Sequence, residues 1–146
     1  MGKAWKGIVI HCSDSAFGDS LIIDSWHKER GFTEVGYHFV ITNGKKHKQD
    51  SYLRSTDGAV QSARSLFKIG SHARSYNYDY IGICLVGVDE FTECQMESLQ
   101  MLVKELMAKY EIKEKSVIGH YQCTTANGKT CPNFDVDDWK QAVFLL

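Results

Sequence analysis

Two runs of this chain are apolar almost without interruption, and they constrain its fold more than any other feature. Residues 7–12 read Gly-Ile-Val-Ile-His-Cys, and residues 80–87 read Tyr-Ile-Gly-Ile-Cys-Leu-Val-Gly. Short runs of this kind, rich in β-branched residues, are typical of strands that are buried on both faces. Such strands need cover on both sides of their sheet, which favours an α/β fold.

Three segments carry the start and stop signals of helices. Residues 19–30 place apolar side chains at helical spacing and end before Gly31, which is a common residue after the last helical turn. Thr92 to Tyr110 begins with a capping box that pairs Thr92 with Gln95, and apolar side chains line one face of this segment. Asp135 is placed to cap a last amphipathic helix.

The remaining segments predict further strands and one long loop. Residues 35–42 resemble a strand, Asn43-Gly44 is a strong two-residue hairpin signal, and residues 45–53 are predicted to return as the second hairpin strand. Residues 54–79 show little periodicity, so a long and functional loop is expected there. Residues 116–119 complete the set as a short strand.

This order of elements predicts an α/β fold, with one domain over residues 1–146. A central mixed β-sheet flanked by helices is expected, because the hairpin excludes a purely parallel sheet. The length of 146 residues suits one domain.

Charge and hydropathy exclude several classes of function. The formal net charge is −1, whereas a dedicated nucleic-acid binder is usually clearly basic. No stretch approaches the roughly 18 apolar residues of a membrane span. The apolar run at residues 8–10 is shorter than the roughly 7–15 residues of a signal-peptide core. We expect a monomer that is made in a cytoplasm without a signal peptide.

Three side chains at or beyond strand ends could hold a metal ion. His11 closes the first strand, His120 follows the last short strand, and Cys131 lies eleven residues further on. Two imidazoles and one thiolate would suit a catalytic Zn²⁺ site that keeps a fourth position open. The spacing alone does not separate this from two hydrogen-bonded histidines and a buried thiol. The odd number of cysteines, five, favours thiols or metal ligands over disulfides.

Seven motifs follow one another in a fixed order along the chain: Ile8–Ser13, Trp26–Gly31, Val35–Phe39, Gly70–Asn77, Ile81–Gly87, His120 and Lys129–Asp135. Together they resemble the zinc N-acetylmuramoyl-L-alanine amidases of the amidase-2 and peptidoglycan-recognition superfamily, in particular the small amidase lysozymes of T-odd bacteriophages. The resemblance spans about residues 8 to 139.

The resemblance implies a fold, a reaction and a set of site residues. The zinc ligands of the family fall on His11, His120 and Cys131, and its catalytic tyrosine and lysine fall on Tyr37 and Lys129. The implied reaction is hydrolysis of the amide between the lactyl group of N-acetylmuramic acid and L-alanine of the peptidoglycan stem peptide. Zinc makes water a usable nucleophile near neutral pH, and a cation such as Lys129 can stabilise the oxyanion.

Three further residues are candidates for contacts with the muropeptide: His72, Arg74 and Asn77. Each has an alternative interpretation. Asn77 could only stabilise a turn, His72 could pack beside the metal, and Arg74 could be a solvated loop charge.

Two departures from the family pattern bear on the site. The stretch between His120 and Cys131 is longer than in the phage lysozymes and contains Cys123, a thiol that could compete for the metal. The region from Ala59 to Ile69 is also extended, which could reshape the substrate groove.

Three other functions remain open at this point. A peptidoglycan-binding module without activity is disfavoured because such relatives usually lack the cysteine ligand, which is present here. Regulatory binding to a phage RNA polymerase is neither supported nor excluded by the charge. A cysteine hydrolase using Cys131 and His120 is disfavoured because Pro132 has no backbone N–H for an oxyanion hole. An amidase of this family would act on the cell wall after release or export, as a phage or prophage endolysin, an exported toxin or a recycling enzyme.

Overall fold

The computed structural model describes residues 4–144, and within them five strands form one mixed sheet. The strands are β1 (Gly7–Cys12), β2 (Phe39–Asn43), β3 (Asp57–Ser62), β4 (Tyr80–Leu85) and β5 (Val117–Gly119). Their order in the sheet is β3-β2-β4-β1-β5. Strands β1, β2, β4 and β5 run parallel, and β3 is antiparallel to β2.

Within residues 4–144, three α-helices flank this sheet: α1 (Ser20–Glu29), α2 (Glu93–Tyr110) and α3 (Val136–Phe144). Both faces of the central strands are covered. One core cluster joins Ile8 and Ile10 of β1 to Leu99 of α2, and a second joins Cys84 of β4 to Ile23 of α1. Every residue of β1 is buried. The predicted α/β class, with a mixed sheet between helices, is confirmed.

The starts of α1 and α2 could be predicted because the hydrogen bonds that cap a helix are local. The Asp19 carboxylate accepts a hydrogen bond from the Ile22 N–H at 2.9 Å. Thr92 and Gln95 form the predicted capping box at the start of α2. Capping depends on residues three apart in sequence, so it can be predicted without knowledge of the tertiary fold.

The predicted hairpin is wrong. Residues 45–53 form no strand, and the partner of β2 is β3, inside the segment predicted to be a long loop. Gly44 does adopt a left-handed conformation, but the polar run after it forms a wide loop that closes with a hydrogen bond from the Leu53 N–H to the Gly44 carbonyl. Unlike that run, β3 pairs with β2 and also packs against α2, where the Ser98 hydroxyl donates to the Gly58 carbonyl.

The predicted strand over residues 35–42 starts later, at Phe39. Residues 35–38 approach the segment around Ser71 instead, and a Cβ on Gly36 would lie 1.9 Å from the Ser71 carbonyl oxygen. No helix among residues 4–144 combines the length and the apolar composition that crossing a bilayer requires.

Candidate active site

A cavity of about 680 Å³ opens where the parallel strands end. The carboxyl ends of parallel strands share one edge of a sheet, which is where ligands bind in α/β folds. All eight side chains singled out from the sequence line this cavity: His11, Tyr37, His72, Arg74, Asn77, His120, Lys129 and Cys131.

His11, His120 and Cys131 converge in this cavity. Their ligand atoms all lie within 4.8 Å of one another, and they are the one such group of three His, Cys, Asp or Glu side chains found among residues 4–144. His11 comes from β1, His120 opens the turn after β5, and Cys131 lies on the loop before α3. Two nitrogens and one sulfur from three separate segments fit a tetrahedral zinc site with one open position.

The imidazoles of this cavity are held neutral. Burial, with the nearby imidazoles of His72 and His120, lowers the pKa of His11 well below its usual value. Desolvation in the cavity wall lowers the pKa of His72 to about 3. Burial and the ammonium of Lys129 lower the pKa of His120. A histidine binds a metal only in its neutral form, so these shifts suit a metal site.

Cys131 has a neighbour that the sequence did not predict. Its Sγ accepts a hydrogen bond from the Cys12 N–H at 3.0 Å, and the Cys12 thiol and burial raise the pKa of the Cys131 thiol. Alternation along β1 turns the side chains of His11 and Cys12 to opposite faces. The loop carrying Cys131 nevertheless meets the end of this strand, so both residues line the cavity.

Cys123 is not part of the metal-ligating group. Its side chain is buried in an apolar cluster with Val9 and Ala73, and burial raises its pKa to about 11. The geometry therefore favours Cys131 over Cys123 as the third candidate ligand.

Tyr37 packs its ring against His11, with ring centroids 5.0 Å apart. The preceding residue is fixed from α1, because the Gly36 N–H donates to His27 Nδ1 at 2.9 Å. Burial raises the pKa of Tyr37 well above its usual value. The phenol of the metal-free chain therefore keeps its proton at neutral pH and can donate a hydrogen bond.

The three candidate substrate residues differ in how much of each is free to meet a ligand. Asn77 Oδ1 accepts from the N–H groups of His72 at 2.6 Å and Ala73 at 2.9 Å, which shapes the cavity wall. The two ring nitrogens of His72 both lie within hydrogen-bond distance of protein atoms. Arg74 is exposed at the rim.

Comparison with known proteins places this geometry in a family. The family model described as N-acetylmuramoyl-L-alanine amidase (amidase-2) matches residues 1–134. The chain belongs to this amidase family. It is 37% identical to the endolysin of Enterobacteria phage T3 over 92% of this chain and 84% of that protein. It is 36% identical to the endolysin of Escherichia phage T7 over 94% of this chain and 86% of that protein.

A solved structure is also similar. The N-acetylmuramoyl-L-alanine amidase LysC from Clostridium intestinale superposes with a TM-score of 0.75 at 28% identity, over 95% of this chain and 85% of that chain. The family and these relatives support a peptidoglycan amidase that acts in cell-wall lysis.

The structure adds residues to the amidase cavity that the sequence did not single out: Asp14, Arg30 and Phe32. Asp14 lies in the polar loop directly after β1, and that position at a strand end is a signal in the sequence. Arg30 and Phe32 follow α1, and their place at the cavity depends on how this helix packs on the sheet. No local pattern predicts that packing.

Proposed function

We propose that this amidase uses Zn²⁺, held by His11, His120 and Cys131, to hydrolyse the amide between the lactyl group of N-acetylmuramic acid and L-alanine of the stem peptide. The observation that carries the proposal is the convergence of these three ligand atoms within 4.8 Å in one cavity with Tyr37 and Lys129. Bound zinc supplies a Lewis acid for the amide carbonyl and brings the pKa of water to about 7.

Residues beside the three proposed ligands can stabilise the charge that develops during amide hydrolysis and orient the reacting groups. Attack on the carbonyl develops negative charge on its oxygen, and the ammonium of Lys129 can stabilise that charge. Tyr37 lines the same cavity and, protonated in the metal-free chain, can donate a hydrogen bond to a bound oxygen atom. It can orient the reacting oxygen atoms or transfer a proton of the attacking water.

The rim of the cavity fits a charged peptide substrate. Arg74 and Arg30 offer guanidinium groups for stem-peptide carboxylates, and Asp14 offers a carboxylate for an ammonium group. Asn77 contributes by building the wall from which Arg74 projects. The substrate lies in the cell wall, so the enzyme acts there after release or export.

Product analysis tests the proposal. Purified peptidoglycan is digested with the metal-free protein, with and without added Zn²⁺, and the products are identified by mass spectrometry. We expect intact stem peptides with a free N-terminal alanine only when zinc is present. Cys131→Ala should abolish this release. Cys123→Ala should retain it, because Cys123 is not one of the three proposed zinc ligands. Cleavage of a glycosidic bond, or no cleavage by folded, zinc-loaded protein, would overturn the proposal.

A further inference from the structure

A chain of two hydrogen bonds connects the backbone of β4 to His11, one of the three proposed zinc ligands. His72 Nε2 lies 2.9 Å from the Tyr80 carbonyl oxygen, and His72 Nδ1 lies 2.9 Å from His11 Nε2. The rings of His72 and His11 meet nearly at right angles, with centroids 5.0 Å apart. The imidazole of His72 therefore bridges a fixed backbone atom and a proposed zinc ligand.

The positions of the protons follow from the first group in this chain of hydrogen bonds. A backbone carbonyl only accepts hydrogen bonds, so His72 Nε2 must carry a proton. A neutral imidazole carries one proton, which leaves His72 Nδ1 as an acceptor. His11 Nε2 must then be the donor to His72, and His11 Nδ1 is left with a free lone pair. That tautomer presents one ring nitrogen of His11 for a metal and uses the other to hold the ring.

Close packing against two glycines also fixes the ring of His72. A Cβ on Gly70 would lie 2.4 Å from His72 Cδ2, and a Cβ on Gly82 would lie 2.6 Å from His72 Cγ. Both distances are far below any real contact, so the ring fits only because both neighbours are glycines. The backbone of His72 is held in turn by the Asn77 side chain, at 2.6 Å.

We propose that His72 is a positioning residue, which fixes the tautomer and the orientation of His11 through the chain of hydrogen bonds from the Tyr80 carbonyl, so that His11 Nδ1 binds the metal. This inference rests on the proposed zinc site, and it gives His72 a role through His11 in place of a substrate contact. Partners of this kind orient metal-binding histidines and raise the basicity of the ligand.

Nitrogen NMR on the metal-free protein tests the proton positions directly. Long-range proton–nitrogen correlation spectra separate protonated from unprotonated ring nitrogens of each histidine. We expect a proton on Nε2 of both His11 and His72 and none on either Nδ1. A proton on Nδ1 of either residue in the folded protein would overturn the proposal.

Zinc affinity, measured by competition with a chelator, tests the consequence. His72→Leu removes the acceptor and should weaken zinc binding by about 10- to 100-fold. His72→Asn places a carbonyl oxygen near the position of Nδ1 and should restore most of the affinity. Gly82→Ala displaces the ring without changing its chemistry and should weaken binding like His72→Leu, while Ile83→Val on the same strand should not.

The outcomes separate this inference from the proposed function. Equal zinc affinity in the wild-type protein, His72→Leu and Gly82→Ala would overturn the role of His72 and leave the zinc site standing. Wild-type protein that binds no zinc would overturn the proposed function, and the NMR spectra would still decide the tautomer. If His72→Leu does not fold, the comparison of His72→Asn with Gly82→Ala decides, because equal affinities there contradict the proposal.

Discussion

In the proposed reaction, single side chains of this site have separable tasks. The ring centroids of His11 and His120 lie 4.5 Å apart. Two imidazolium cations at this distance would repel each other, and they would also repel a metal cation. Burial keeps both rings neutral, and Lys129 supplies the positive charge nearby without being a ligand. The ammonium of Lys129 is therefore available for the charge that develops during the reaction.

Lys129→Ala tests this division of tasks. The variant keeps all three proposed ligands, so zinc affinity should stay unchanged, while kcat should fall by about 100- to 1,000-fold because the oxyanion loses its cation. Rates on a soluble muropeptide and a chelator titration measure the two quantities. Lys115→Ala, an exposed lysine outside the cavity, is the control. A loss of zinc affinity as large as the loss of kcat would contradict the assignment.

Tyr37→Phe tests whether the hydroxyl group of Tyr37 takes part in the reaction. The phenyl ring keeps the packing against His11, so the fold and the zinc affinity should be retained. Loss of the donated hydrogen bond should lower kcat by about 100-fold or more. Tyr78→Phe, at an exposed tyrosine that does not line the cavity, should have no effect on kcat. Activity of Tyr37→Phe equal to wild type would show that the hydroxyl takes no part in the reaction.

At the scale of elements, the sequence predicts those whose signals are local and misses those that depend on distant packing. The cap of α2 and the double burial of β1 could be predicted from neighbouring residues. The pairing of β3 could not, because it depends on α2, which lies more than thirty residues further on. For the same reason, the positions of His11 and His120 at strand ends could indicate that both line the cavity, whereas the contact of Cys12 with Cys131 could not be predicted.

Thr92 joins two of these elements, so its removal should weaken both. Its hydroxyl accepts from the Gln95 N–H at 3.0 Å and donates to the Asp57 carboxylate of β3 at 2.6 Å. Thr92→Ala should lower the free energy of unfolding by about 1–2 kcal/mol, measured by urea denaturation. Ser55→Ala, at an exposed serine in the short 3-10 helix Arg54–Thr56 before β3, serves as the control. A change below a few tenths of a kcal/mol would show that the cap and the β3 contact do not stabilise the fold.

At the scale of the whole molecule, the neutral histidines of the site should lower the free energy of unfolding of the metal-free protein as the pH falls. The fold holds His11, His72 and His120 neutral in one cavity, and each has its pKa lowered by burial. In the unfolded chain these groups bind protons near pH 6.5. Between that pH and the lower folded values the unfolded state binds more protons, so the stability of the fold decreases as pH falls through this window.

Urea unfolding of the metal-free protein at pH 7.5 and pH 5.0 measures this linkage. We expect the free energy of unfolding to be larger at pH 7.5, and to fall below about pH 6.5 by up to about 1.4 kcal/mol per pH unit for each neutral histidine. Most carboxylates are ionised in both states above about pH 5, so the slope in this range reports mainly the histidines. His72→Asn removes one of them and should make the slope shallower. Equal stability at the two pH values would mean that the folded cavity takes up protons as readily as the unfolded chain, which is incompatible with neutral imidazoles poised to bind a metal.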